Sequence, residues 1–203
     1  MAWIWDSPPE KQTPVWAEYD HGKSTFQSYL TLIGQRQPED AGEAILRLTG
    51  GGLKKVEHFH CLPNSAGGNI IIDDLLQRII LRHASSDEVQ FYPVIIKGKD
   101  GETDRYSFVI PLVHLPCIDL ENSRVKLNEH LSEPRVRFFG SLVHLPGCLG
   151  DHAIARDSLY PSHTLVSDAL KDELAATRDK GLAFYQPEEM VDRFWRESMT
   201  RAQ

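Results

Sequence analysis

Histidine side chains that could bind a metal stand close together in the segment Glu57–Cys61, EHFHC. In a β-strand, His58 and His60 would share one face, because side chains alternate along a strand. Two imidazoles on one side of a strand can begin a metal site. No second group of ligands follows at a spacing typical of zinc proteins. A plain strand with its polar residues facing solvent is therefore the alternative.

A short internal repeat supplies a second candidate site. The sequence LVHLP occurs twice, around His114 and around His144, and each copy is followed by a cysteine, Cys117 and Cys148 respectively. If the two copies pair in a sheet, these four side chains could converge as metal ligands or as a thiol–imidazole pair. Two similar core strands would produce the same repeat, so both interpretations stay open.

No familiar catalytic motif accompanies these residues. The sequence lacks a G-x-S-x-G elbow, an H-E-x-x-H motif, a phosphate loop and a G-x-G-x-x-G dinucleotide motif. The glycine triplet at 50–52 is not followed by Lys-Ser or Lys-Thr, which favours a flexible connector. We therefore predict no catalytic residues. A small hydrolytic or metal-dependent enzyme using His58 and His60, or His114 and His144, is the alternative.

Composition restricts the partners of the chain. The formal net charge is −7 and the isoelectric point is about 5.7, and lysine and arginine do not cluster. Phosphate binding needs clustered basic residues, so we expect no nucleic acid partner, whereas a basic protein partner is compatible with this charge. No apolar run approaches the roughly 20 residues that span a bilayer, and the N-terminus does not resemble a signal peptide. These features predict a cytoplasmic protein with no membrane partner.

The three cysteines indicate neither a disulfide framework nor a thiolate zinc site. Cys61, Cys117 and Cys148 are odd in number and show no C-x-x-C spacing. We expect buried, reduced thiols, no resident metal and no cofactor.

A long hairpin is the element that must position the candidate residues. Its first arm, Val89–Ile96, is rich in β-branched and aromatic residues, and a polar turn follows at 97–101. Its second arm runs from Tyr106 to Leu115 and contains Pro111, which predicts an edge position or a bulge because proline cannot donate to a strand ladder.

Apolar periodicity predicts several helices around this hairpin. The predicted helices cover 24–33, 38–48, 73–83, 168–180 and 187–199, the last with Met190, Val191, Phe194, Trp195 and Met199 on one face. For 24–33 a strand is the alternative, because the segment contains β-branched and aromatic residues. Further strands are expected near Trp3, Trp5 and Trp16, at 136–145 and at 182–185; the tryptophans either cover a sheet edge or form a recognition surface. The fold class expected is α+β, a mainly antiparallel sheet with a central long hairpin, packed by several amphipathic helices in one domain over 1–203.

Several segments, taken together and in order, resemble a family of bacterial immunity proteins. They are Leu62-Pro63-Asn64, VQFYPV at 89–94, CIDLENS at 117–123, VSDALK at 166–171 and KGLAF at 180–184. The resemblance is strongest over 62–185. Residues 1–60 are expected to form a variable part of the same domain, one that could set which toxin is recognised.

The resemblance implies function by binding. Members of such families neutralise a cognate toxin of a polymorphic toxin system, including contact-delivered and type VI secreted effectors. In a non-enzyme, Asp119 and Ser123 of the CIDLENS motif, with Glu121 between them, are best interpreted as structural residues. Short polar side chains of this kind bond nearby backbone amides and fix a turn.

The acidic turn of the hairpin is a candidate partner-binding surface. It carries Asp100, Glu102 and Asp104 beside glycines that keep it exposed. Negative charge there would speed association with a basic toxin. The alternative is that these acids solubilise the hairpin and protect its edge from aggregation.

Overall fold

The computed structural model describes residues 1–9, 15–66, 68–128, 130–131, 134–190, 192 and 194–195. Its elements, in chain order, are β1 Ala2–Asp6, β2 Trp16–Tyr19, β3 Ala44–Thr49, β4 Ile70–Asp73, α1 Asp74–His83, β5 Val89–Gly98, β6 Gly101–Pro111, β7 His114–Leu115, β8 Arg124–Leu127, β9 Val136–Ser141, β10 Ile154–Asp157, β11 Thr164–Ser167, α2 Asp168–Ala176 and β12 Ala183–Tyr185. Short 3-10 turns occur at Ser28–Leu32, Leu53–Lys55 and Pro187–Glu189.

The first sheet is built on the hairpin β5–β6. Its strand order is β2-β3-β5-β6-β4, with β3 parallel to β5 and the other pairs antiparallel. Strand β4 pairs with β6 only as far as Val109, so Pro111, the last residue of β6, has a neighbouring strand on one side only, opposite Val89 of β5. A register irregularity lies between Val94 and Ile96.

The predicted second arm of the hairpin contributes strands to both sheets. After Pro111 the chain leaves the first sheet, and His114–Leu115 joins the second sheet as β7. The strand order of this sheet is β12-β1-β11-β10-β7. Trp3 and Trp5 lie on β1, an interior strand, and Trp5 is buried, whereas Trp16 lies on the edge strand β2.

The expected α+β class with several packing helices is wrong. Within the described residues the structure has two α-helices, and strands predominate. The helix predicted at 38–48 is instead the buried strand β3, held between β2 and β5. The helix predicted at 24–33 is reduced to a 3-10 turn at 28–32. Short apolar runs do not distinguish helix from strand, and pairing with neighbouring strands decides the outcome.

The two α-helices, predicted at 73–83 and 168–180, each begin at a side chain that caps the helix. The Asp73 carboxylate accepts from the amides of Leu75 and Leu76 at the start of α1, and the Ser167 hydroxyl accepts from Leu170 at the start of α2. The second helix ends at Ala176, earlier than expected. At 187–199 the described part contains a 3-10 turn over 187–189, while Val191 and Met199 lie outside the described residues.

In the described part of the chain, buried apolar side chains pack in three clusters, which lie against the faces of the two larger sheets. One cluster covers the outer face of the first sheet around Phe26, Tyr92 and Phe108. A second joins Ile72 and Val109 of the first sheet to Trp5 and Val166 of the second, together with both helices. The third covers the other face of the second sheet and includes Phe139 and Cys117. No helix in the described part is long and apolar enough to span a bilayer.

Candidate functional site

The segment EHFHC is not a strand, and its two histidines do not share a face. Residues 53–58 form a 3-10 turn followed by a further turn, and His58 is exposed. His60 is half-buried, and its Nδ1 lies 2.8 Å from the Asp73 carboxylate. The apolar residues Val56 and Phe59 turn inward at helical rather than alternating spacing, which explains why the strand prediction failed.

His60 belongs to an ionic cluster around Asp73 that sequence reasoning missed. One carboxylate oxygen of Asp73 caps α1, and the other accepts from the Arg105 guanidinium and contacts His60. Burial alone would raise the pKa of Asp73, but the bonds from Arg105 and His60 lower it below its usual value. Arg105 also donates to the carbonyl of Glu57, at 2.9 Å.

Asp179 completes this group, which we call the Asp73 cluster: Asp73, Arg105, His60 and Asp179. Asp179 accepts from the backbone amides of His60, Cys61 and Gly181. A Cβ on Gly181 would lie 1.7 Å from the carbonyl oxygen of Cys61. Only glycine allows the two backbones to approach so closely. The KGLAF segment is therefore held directly against the EHFHC segment.

The LVHLP repeat brings its cysteines together but places its histidines in different surroundings. The Cys117 and Cys148 thiols lie close enough to interact, and this interaction raises the pKa of Cys117 and lowers that of Cys148. Burial lowers the pKa of both histidines. His114 lies beside Arg156, whereas His144 lies near Glu188 and pairs through its backbone with Ile118. Among the described residues, no group of three or more histidine, cysteine or acidic side chains could hold a metal.

The CIDLENS motif forms a compact turn. The Asp119 carboxylate accepts from the amides of Glu121 and Asn122, at 3.0 and 3.1 Å, and from the Asn122 side chain at 2.7 Å. These bonds, first the one from the Asn122 side chain, lower the pKa of Asp119. The Ser123 hydroxyl accepts from the amide of Val143 and donates to its carbonyl, while Glu121 is exposed. Asp119 and Ser123 therefore tie the turn to the second LVHLP copy.

The acids of the hairpin turn differ in their contacts. Asp100 accepts from the amide of Leu53, at 2.7 Å, and so caps the 3-10 turn that follows the glycine triplet. Glu102 lies 3.3 Å from the Lys97 ammonium on the neighbouring strand. Asp104 is exposed on β6. Asp100 thus has a structural contact, and all three acids are exposed to a partner.

Strand β10 carries two buried charged residues, Arg156 and Asp157, that the sequence analysis did not predict. Arg156 is fully buried and donates to the carbonyl of Pro161 at 2.6 Å, and its Nε has no partner among the described residues. Burial lowers its pKa to about 9. The adjacent Asp157 accepts from the amides of Leu159 and Tyr160, yet burial raises its pKa to about 6.

Comparison with known families identifies the chain. A model of an immunity protein family (Imm11) matches residues 20–189. The chain belongs to this immunity protein family. The match begins well before Leu62, so most of the N-terminal region that the sequence resemblance left out is included. A search of curated proteins found no match.

The segments that carry the resemblance meet inside this immunity protein as packing and hydrogen-bonding elements. Asn64 of Leu62-Pro63-Asn64 donates to the carbonyls of Leu62 and Asn69 and accepts from Ala66. VQFYPV lies in β5, and KGLAF leads from Asp179 into β12. In these contacts the motif residues organise the scaffold.

Proposed function

We propose that this immunity-family protein binds and neutralises one cognate toxin, secreted or delivered by cell contact, in the cytoplasm of the cell that makes it. Membership of the immunity family over 20–189 carries this proposal. The toxin belongs to a polymorphic toxin system, and type VI secretion is one route of delivery that we propose. Neutralisation is by binding, without catalysis.

The contacts of His60 support a binding role over an enzyme that uses His58 and His60. His60 is engaged with Asp73, which is itself bonded to Arg105 and to the start of α1. Such a carboxylate has little capacity left for a metal ion or for proton transfer. Metal analysis of the purified chain checks this assignment: stoichiometric zinc or iron would favour the metal-dependent enzyme.

Co-expression tests the proposed function in cells. The toxin encoded beside this chain is expressed from an inducible promoter, alone and together with the chain. We expect growth to be restored by this chain and not by an immunity protein of another family. Growth arrest that persists with the folded chain present at high level would contradict the proposal.

We further propose that the acidic turn of the hairpin steers the toxin to its binding surface. Glu102 and Asp104 are exposed on β6, and opposite charge raises association rates in a salt-dependent way. Asp100 is exposed beside them and is part of this proposal, although its carboxylate also accepts from the amide of Leu53.

A further inference from the structure

A pocket of about 440 Å³ opens at the end of β1, against β9 and the turn at 160–163. Its volume falls within the range of about 300 to 1,000 Å³ typical of ligand pockets. The walls and rim include Asp6, Phe138, Phe139, Tyr160, His163 and Asp192. It therefore combines aromatic rings with two carboxylates and the guanidinium of Arg137.

The carboxylate of Asp6 lacks a counter-ion among the described residues. Asp6 is half-buried, and its carboxylate accepts a bond from the adjacent Ser7 amide at 2.7 Å. Burial raises the pKa of Asp6, and no cation offsets that effect. Asp192 is bonded to the amide of Phe194 in a similar way. A desolvated carboxylate without a cation costs stability, unless a ligand supplies the missing charge.

Aromatic rings form the walls beside these carboxylates. Phe139 and Tyr160 pack edge to face with ring centroids 5.3 Å apart, and Tyr160 and His163 lie 4.5 Å apart. The negative faces of aromatic rings attract cations, and the attraction grows when water is excluded. The rings and the Asp6 carboxylate therefore both favour a positively charged ligand.

His163 adds a buried acceptor without adding charge. It is 4% exposed, and its Nδ1 has no hydrogen-bond partner among the described residues. Burial lowers the pKa of His163 to about 3, so the ring is neutral at physiological pH. A neutral imidazole nitrogen can accept a bond from a guanidinium or ammonium group without repelling it.

We propose that this pocket receives a basic side chain, arginine or lysine, of the bound toxin, with Asp6 as its counter-ion and the rings of Phe139 and Tyr160 as its walls. The inference rests on the proposed function for the identity of the partner. Arginine is enriched at the energetic centres of protein interfaces, where a desolvated socket of this kind binds it.

Arg137, a cation in the pocket lining, does not make the electrostatic potential of the pocket positive. The guanidinium of Arg137 lies 5.1 Å from the centroid of the Phe138 ring. Near Asp6, a further acid strengthens the negative field: burial and then the charges of Asp6 and Glu189 raise the pKa of Tyr185. Two guanidinium groups act on the pocket, Arg137 in its lining and buried Arg156, whose charge acts on His163. Three carboxylates stand against them, Asp6 and Asp192 in the lining and Glu189 near Tyr185.

Small-molecule probes test the socket without any toxin. Amide-resolved NMR follows the full chain during titration with N-acetyl-arginine amide, its uncharged isostere N-acetyl-citrulline amide, and N-acetyl-glutamate amide. We expect the arginine probe, at millimolar concentration, to shift the amides of Ser7, Phe139 and His163, while the other two leave them in place. Equal shifts with citrulline, shifts with the glutamate probe, or none with arginine would overturn the proposal.

Two variants sharpen this test. Asp6→Asn keeps the acceptor for Ser7 but removes the charge, so it should weaken the arginine probe about tenfold or more. Its melting temperature should equal or exceed that of the parent, because an unpaired carboxylate is lost. Asp87→Asn, an exposed acid outside the pocket, is the matched control and should change neither quantity. Unchanged probe affinity in Asp6→Asn would exclude Asp6 as counter-ion.

The two proposals fail in distinguishable ways. If the arginine probe does not bind but co-expression still restores growth, the chain neutralises its toxin through another surface. If the probe binds at Asp6 but growth is not restored, the socket exists and the immunity function is wrong. With the toxin in hand, Asp6→Asn should weaken the complex while Asp87→Asn does not.

Discussion

Two carboxylates that end β-strands, Asp73 and Asp6, lie in opposite electrostatic environments. Asp73 caps a helix and is bonded to Arg105 and His60, and its pKa is lowered despite its burial. The Asp6 carboxylate lies at the mouth of an aromatic pocket and accepts one hydrogen bond, from the backbone amide of Ser7. Burial raises the pKa of Asp6. Asp73 has its cation, Arg105, within the fold, whereas Asp6 has no cation beside it among the described residues.

The difference has opposite consequences for stability. A lowered folded pKa means that Asp73 stabilises the fold above its unfolded pKa of about 3.8, and this contribution is lost as pH falls through the lower folded value. A raised folded pKa means that Asp6 destabilises the fold as pH rises above about 3.8. We therefore interpret the first region as scaffold and propose the second, where Asp6 lines the aromatic pocket, for recognition.

The largest expected effect comes from Gly181, beside the Asp73 cluster. In Gly181→Ala the new Cβ would meet the Cys61 carbonyl at 1.7 Å, so the backbones must separate. We expect a loss of about 3 kcal/mol or more in the free energy of unfolding, measured by denaturant titration. Gly22→Ala, whose Cβ would have an ordinary 3.5 Å contact with Asp20, is the control and should cost little. Equal stability of the two variants would refute the locking role of Gly181.

Removing the cation from Asp73 should have the next largest effect. Arg105→Met keeps much of the side-chain length but leaves the partly desolvated Asp73 with only His60 and the amides of α1 as partners. Because the Arg105 side chain is 34% exposed, we expect a cost of about 2 kcal/mol, below that of a fully buried pair. The matched control is Lys97→Met, which breaks the exposed pair with Glu102. If both substitutions cost the same, the Asp73 cluster is not a stabilising centre.

A smaller effect is expected at the CIDLENS turn. Asp119→Ala removes the acceptor for the amides of Glu121 and Asn122 and should lower the melting temperature by about 2 to 4 °C. Glu121→Ala removes an exposed carboxylate of the same turn and serves as control. Toxin binding should weaken only as far as folding does. Lost binding with unchanged melting would place Asp119 in the interface instead.

The smallest structural effect, and a kinetic one, is expected at the hairpin turn. Glu102→Gln combined with Asp104→Asn should leave the melting temperature nearly unchanged, because both side chains are exposed. Association with the toxin should slow and lose part of its salt dependence, as measured by stopped-flow or biosensor kinetics. Parent-like association rates at both low and high salt would restrict recognition to other surfaces, beginning with the pocket at Asp6.

The sequence predicts the elements whose signals are local. The acid that caps α1, the serine that caps α2 and the alternation of the β5–β6 hairpin are visible within a few residues each. Strand β3 was predicted as helix, because its four apolar residues fit both periods and only its pairing with β5 decides. The candidate sites were harder still. Asp6 is near the N-terminus, His163 is distant in sequence, and no short pattern joins them.

Neutralisation by binding is tested most directly by titrating the toxin's activity with the purified chain. We predict that activity falls in proportion to added chain and vanishes at a fixed molar ratio that does not change with incubation time. Asp6→Asn should weaken the complex, so that toxin activity falls gradually and without a sharp end point. Inactivation that continues with time at a small fraction of that ratio would indicate catalysis, and full toxin activity in molar excess of the folded chain would contradict binding altogether.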